Sequence, residues 1–140
     1  MLEINNTTYQ KINLTKTKKI VDAWLLVYKK SDWFVSLALI GAKRMRKLNK
    51  CYRGIDKATD VLSFPGDSKG KFLGEVIINL EEIKKPNKYL EVFGVKKSSD
   101  YIFNFLLVHG LLHLIGYNDE SEKERQKMIS LGEKFLAKFY

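Results

Sequence analysis

The sequence predicts an α+β fold: a single domain with a small mixed β-sheet of about four strands, about five helices, and a metal site on a buried helix. Three observations carry this. Strand-like and helix-like runs alternate irregularly, which suits a mixed sheet better than a regular βαβ array. No linker, repeat or low-complexity tract divides the 140 residues, a length that suits one core. One run, residues 98–116, is apolar almost all round and holds both histidines of the chain. A helix of that kind is buried.

The elements follow in chain order. LEI (2–4) is a weak strand. Residues 15–30 read as a helix, with Ile20, Trp24 and Val27 on one face and Thr15 as its N-cap. WFVSLALIG (33–41), rich in β-branched and aromatic residues, reads as a strand. Residues 42–54 form a short amphipathic helix that stops at Gly54. Its apolar face carries Met45, Leu48 and Tyr52, and its basic face Lys43, Arg46, Lys47 and Lys50. DVLSFPG (60–66) and FLGEVIIN (72–79) are joined by a polar turn, the pattern of a hairpin. Pro65 cannot donate a ladder hydrogen bond, so the first of these strands ends there or lies at an edge. Residues 80–97 are charged and irregular, with a short helix expected among them. Residues 98–116 follow as the buried helix, capped by Ser99 and ended by Gly116. Residues 120–140 close the chain as an amphipathic helix striped by Met128, Leu131 and Phe135.

The composition, 45% hydrophobic and 29% charged, is that of a folded domain rather than a disordered chain. One cysteine, Cys51, excludes an internal disulfide framework and a Cys-rich zinc site, and fits a reducing compartment. It reads as a small packed residue, because no histidine is local to activate it. No apolar run reaches the roughly 18 residues of a membrane span. The first residues lack the apolar stretch of a secretory signal, so a cytoplasmic location is the default expectation, with no membrane partner. The net charge of +9, from 25 Lys+Arg against 16 Asp+Glu, favours polyanions such as nucleic acid or the ribosome. A lysine-rich solvating surface explains the same number without a partner.

The chemistry concentrates in VHGLLHLIGYND (108–119). Positions i and i+4 share a helix face about 6 Å apart, so His109 and His113 can aim at one atom. Two imidazoles, one further ligand and an open position make a catalytic zinc layout. Gly110 leaves room for another backbone or a substrate. Gly116 lets the chain turn back, which makes Asp119 the candidate third ligand. The bland readings stand beside this one. Paired histidines in a buried helix can be hydrogen-bonded core residues. Asp119 can cap the last helix, with Glu122 three residues on, unless Ser121 and Glu124 form the cap instead. The glutamate of HExxH is absent, which counts against a peptidase.

Residues 109–119, HGLLHLIGYND, resemble the HGxLHLxGYDH signature of the bacterial YbeY family. Leu48-Asn49-Lys50-Cys51-Tyr52-Arg53-Gly54 with Thr59-Asp60-Val61-Leu62-Ser63-Phe64-Pro65 resembles that family's LNxxYR…TDVLSFP block. Leu73-Gly74-Glu75-Val76 is a weaker third match, with Glu75 where the family has Asp. The three blocks span residues 48–119 in order. Two positions depart: Asn118 stands where the signature has Asp, and Asp119 where it has a third histidine. The resemblance implies a single YbeY-like domain over 1–140, a single-strand-specific, metal-dependent endoribonuclease linked to ribosomal RNA maturation and ribosome quality control.

It further implies one divalent ion, zinc first among candidates, held by His109, His113 and Asp119. Arg53 matches the arginine of the family's active-site cleft and, with His113, is a candidate catalytic residue. A guanidinium beside a metal can grip a phosphate with two hydrogen bonds; its bland reading is a helix C-terminal arginine favoured by the dipole. Lys43, Arg46, Lys47 and Lys50 lead along one helix toward Arg53, as a phosphate-tracking surface or as a solvated face. Thr59, Asp60 and Ser63 have supporting roles, with structural readings as turn and strand residues. The general base is unassigned. Three other readings stay open: a degenerate member with only two ligands, a ribosome-associated RNA-binding factor with little or no turnover, and a metal hydrolase of another substrate. The last predicts a closed pocket rather than an open cationic groove.

Overall fold

Eleven short segments account for the chain, and their order matches the sequence reading closely. They are β1 (Leu2–Asn6), α1 (Leu14–Val27), β2 (Phe34–Ile40), α2 (Ala42–Arg53), β3 (Val61–Asp67) and β4 (Phe72–Asn79), then two 3-10 turns (Glu82–Lys84 and Pro86–Tyr89), α3 (Leu90–Phe93), α4 (Ser99–Leu114) and α5 (Glu122–Leu136). The structure is a computed structural model that describes residues 1–140, apart from the side chain of Pro86. The four strands form one mixed sheet in the order β1-β2-β4-β3. β1 and β4 run parallel to β2, and β3 returns antiparallel to β4 as the expected hairpin. The predicted α+β class, four strands and five helices, is the observed one.

The sheet is covered on both faces, and side-chain alternation shows how. Val35, Leu37 and Leu39 of β2 join Val76 and Ile78 of β4 in the main core, with Ile20 and Trp24 of α1 and the apolar body of α4. The intervening Ile40 and Ile77 pack on the other side with Met45 of α2 and Leu62 of β3. A period of two along each strand produces this division. α4 lies against β3 and β4, so whatever its polar residues do happens beside the hairpin.

Several local expectations need correction. Asn13, not Thr15, caps α1, its side chain accepting from the Lys16 amide. Ser98, not Ser99, caps α4 by accepting from the Tyr101 amide. In both cases two cap-forming residues stand close together and the tertiary position of the helix selects one. Val27 is exposed, because the buried stripe of α1 runs through Val21 and Leu25. Tyr52 is also exposed, although its ring packs edge-on against Phe64 at 5.0 Å between centroids. Cys51 is exposed rather than packed. Of the two expectations for Pro65, the edge placement holds: β3 continues to Asp67 as the edge strand.

Candidate metal centre

α4 brings its two histidines to the surface of a helix that is otherwise sunk in the core. Their spacing of four places the rings on one side, 4.8 Å between centroids and nearly perpendicular. Gly110 sets how close this helix comes to the sheet. A Cβ there would sit 2.7 Å from Val76 Cγ1 and 3.0 Å from Ser63 Oγ. The room left by Gly110 is therefore filled by the sheet's own side chains. Ser63 uses the approach to donate to the Gly110 carbonyl at 3.0 Å, joining β3 to α4.

Asp119 arrives from the other side. Gly116, at φ 103°, turns the chain in a conformation that side-chain-bearing residues rarely adopt. Ser121, not Asp119, caps α5: its Oγ accepts from the Glu124 amide at 3.1 Å and donates to Glu124 Oε1 at 2.9 Å. Released from that duty, Asp119 places Oδ2 3.4 Å from His109 Nε2 and 3.5 Å from His113 Nε2. One ligand atom from each of the three residues lies within 4.8 Å of the others.

The hydrogen bond on the His113 ring favours its metal-binding tautomer. His113 Nδ1 is 3.0 Å from the Tyr117 carbonyl, which only accepts, so Nδ1 carries the hydrogen and Nε2 presents its lone pair toward Asp119. His109 Nδ1 is buried without a partner. Burial, followed by the neighbouring His113, pushes the His109 pKa down, partly offset by Asp119 and Asp60. The neutral imidazole thus favoured is the form that binds metal. The distances of Asp119 from the two histidines suit a zinc-sized ion, while the three donor atoms as a group spread to 4.8 Å. Ligand atoms about 2.0–2.1 Å from a tetrahedral centre stand roughly 3.4 Å apart, close to the spacing of both histidines from Asp119.

These three residues line a cleft of about 460 Å³. Arg53, at the last turn of α2, lines it together with Thr59, Asp60 and Ser63. The loop carrying Thr59 and Asp60 is pinned from two sides. Buried Asn49 donates to the Lys57 carbonyl at 2.9 Å, and Asn79 donates through Nδ2 to the Thr59 carbonyl at 3.2 Å. The Tyr89 hydroxyl donates to Asp60 Oδ2 at 3.0 Å. The rest of the basic face is placed elsewhere. Arg46 is paired in two bonds with Asp56, at 2.8 and 3.2 Å. Lys43 and Lys47 line a separate groove with Thr7, Arg44 and Glu81, and Lys50 is exposed on the same helix.

A family model described as "Endoribonuclease YbeY" matches residues 3–140. The chain belongs to the YbeY family. A YbeY endoribonuclease of Acholeplasma laidlawii is 32% identical over 140 residues, covering 98% of this chain and 96% of the relative. One from a Sulfurihydrogenibium species is 38% identical over 142 residues, covering 96% and 90%. The solution structure of TM1509 from Thermotoga maritima has the same fold, with a TM-score of 0.61 at 21% identity, covering 99% of this chain and 91% of that one.

With the YbeY family established, its sequence blocks have a spatial meaning. The LNxxYR block ends in Arg53, the TDVLSFP block supplies Thr59 to Ser63, and the histidine block supplies the metal donors; all three meet at one cleft. Asn118, which replaces the signature's aspartate, accepts from the Glu120 amide at 3.4 Å and so shapes the loop rather than joining the donor set. Tyr89 and Arg125, which line the neighbouring cavity, had no sequence signal, since each lies in an otherwise ordinary polar stretch. Asn49 did have one: an asparagine inside an amphipathic helix asks for a buried partner.

Proposed function

We propose that this chain is a metal-dependent endoribonuclease acting on single-stranded RNA, one domain over residues 1–140. The observation that carries this reading is the convergence of His109, His113 and Asp119 in a cleft that Arg53 also lines. The three donors would hold one divalent ion, and their two nitrogens and one carboxylate oxygen suit zinc. Bound there, such an ion supplies Lewis acidity to a phosphoryl oxygen or to an attacking water. The protein's own groups do the rest. Arg53 holds the scissile phosphate and offsets charge as it develops. His113, fixed through Nδ1 by the Tyr117 carbonyl, keeps its ring aimed at the cleft without rotating.

Lys43, Arg46, Lys47 and Lys50 are proposed as outlying phosphate contacts, with Arg46 weakened in that role by Asp56. The net charge of +9 and the family together support ribosomal RNA as the substrate class, the ribosome or its proteins as partners, and a cytoplasmic setting. Among the described residues no helix is long and apolar enough to cross a membrane.

The test is cleavage of a labelled single-stranded RNA by the wild-type protein, Arg53→Ala and His113→Ala, with metal content measured on each. The expected result is metal-requiring cleavage that both substitutions abolish, with metal lost only in His113→Ala. Equal cleavage by all three overturns the reading.

A further inference from the structure

A second cavity, of about 190 Å³, lies beside the metal centre and shares Asp60, Val61, His109 and Asp119 with the cleft. We propose that it is a subsite for one nucleobase of the bound strand, on a nucleotide next to the phosphate at the metal centre; this rests on the RNA-cleaving reading above. Its size comes first. It is smaller than the roughly 300–1,000 Å³ of a pocket for a drug-sized ligand. It holds about six waters' worth of liquid volume, room for one flat heterocycle and not for a whole nucleotide.

The chemistry of the walls selects the occupant. Tyr89, Val92, Phe105 and Ile129 give apolar and aromatic contact of the kind that base faces use. Of the polar walls, Asp60 suits the edge of a base. The Tyr89 hydroxyl holds Asp60 Oδ2, while Oδ1 has only a long 3.5 Å contact from Thr59. Oδ1 therefore keeps the capacity to accept from an exocyclic amino group, which cytosine, adenine and guanine have and uracil lacks. Arg125 is only partly covered, and its contact to Glu122 is a loose 3.5 Å, so its guanidinium plane is available at the cavity. A strand whose phosphate sits by Arg53 and the metal donors would place its next base here without leaving the shared wall.

The test is binding, read by fluorescence anisotropy, of a short labelled single-stranded RNA in which one abasic nucleotide is walked through each position. The wild-type protein is compared with Val92→Phe, which fills the cavity. Arg125→Ala serves as a second variant if Val92→Phe fails to fold in a thermal melt. In the wild type, one abasic position is expected to weaken binding about tenfold. In either variant the intact RNA binds about as weakly, and the same abasic position has little further effect. An abasic cost that is identical in wild type and variant, or absent at every position, overturns the subsite. Failure of the wild type to bind single-stranded RNA at all overturns the RNA reading itself. Binding and cleavage with a flat abasic scan overturn the subsite alone.

Discussion

The candidate metal centre is assembled from two unlike regions. His109 and His113 stand on α4, a helix buried along nearly its whole length, and their side chains are 14% and 29% exposed. Asp119 stands on a short connection between α4 and α5 and is 41% exposed. The helix places its donors by packing: Gly110 lets it settle on Val76 and Ser63, which fixes the backbone that carries the rings. The connection places its donor by length and by two ends, Gly116 and the Ser121 cap. One region is rigid because it is surrounded, the other because it is tethered.

The largest expected effect follows from losing the surrounded half. His109→Ala or His113→Ala removes one of the two nitrogen donors, and elemental mass spectrometry should find the bound ion, about one per chain in the wild type, reduced to background. Asp119→Ala leaves the histidine pair in place and should weaken metal affinity by about 10- to 100-fold, measured by competition with a chelating dye. Asp119→His should restore or exceed the wild-type affinity for zinc. Equal losses for Asp119→Ala and His113→Ala would erase the contrast between the two regions.

Smaller effects separate packing from tethering. Gly110→Ala forces a methyl group against Val76 and Ser63 and should cost about 1–3 kcal/mol of stability in a denaturant titration, with metal affinity falling alongside. Ser121→Ala removes the cap and should cost about 1 kcal/mol. It also leaves Asp119 free to become the cap, so metal affinity should fall with little change in the rest of the fold. If Ser121→Ala left affinity untouched, the tether would not depend on the cap.

Much of this was legible in the residues. Amphipathic helix positions followed from apolar spacing and β2 from its β-branched and aromatic content, with Val35, Leu37 and Leu39 in the main core. The histidine pair was legible because i and i+4 fix a geometry by themselves. Asp119 was only half legible. Its two roles, ligand and cap, use the same residue type at the same place, and the choice depends on Ser121 and on where α5 docks. Asn13 over Thr15 and Ser98 over Ser99 were hidden for the same reason. Exposure of Val27, Cys51 and Tyr52 was hidden because a helical stripe says which side is apolar, not how far the core extends beneath it. Asp60 gained its place at the cleft only when Asn49, Asn79 and Tyr89 closed around its loop, three contacts that no local pattern contains.

Asp119 also changes the electrical balance of the centre. Three neutral imidazoles leave a divalent ion with its full double charge, whereas one carboxylate cancels half of it. An approaching phosphodiester would then meet a single net positive charge at the donors. The guanidinium of Arg53, at the same cleft, would add a second positive charge, against which the carboxylate of Asp60 stands. Attraction for the backbone would then depend on the arginine as well as the ion, and Arg53→Ala should flatten the salt dependence of RNA binding.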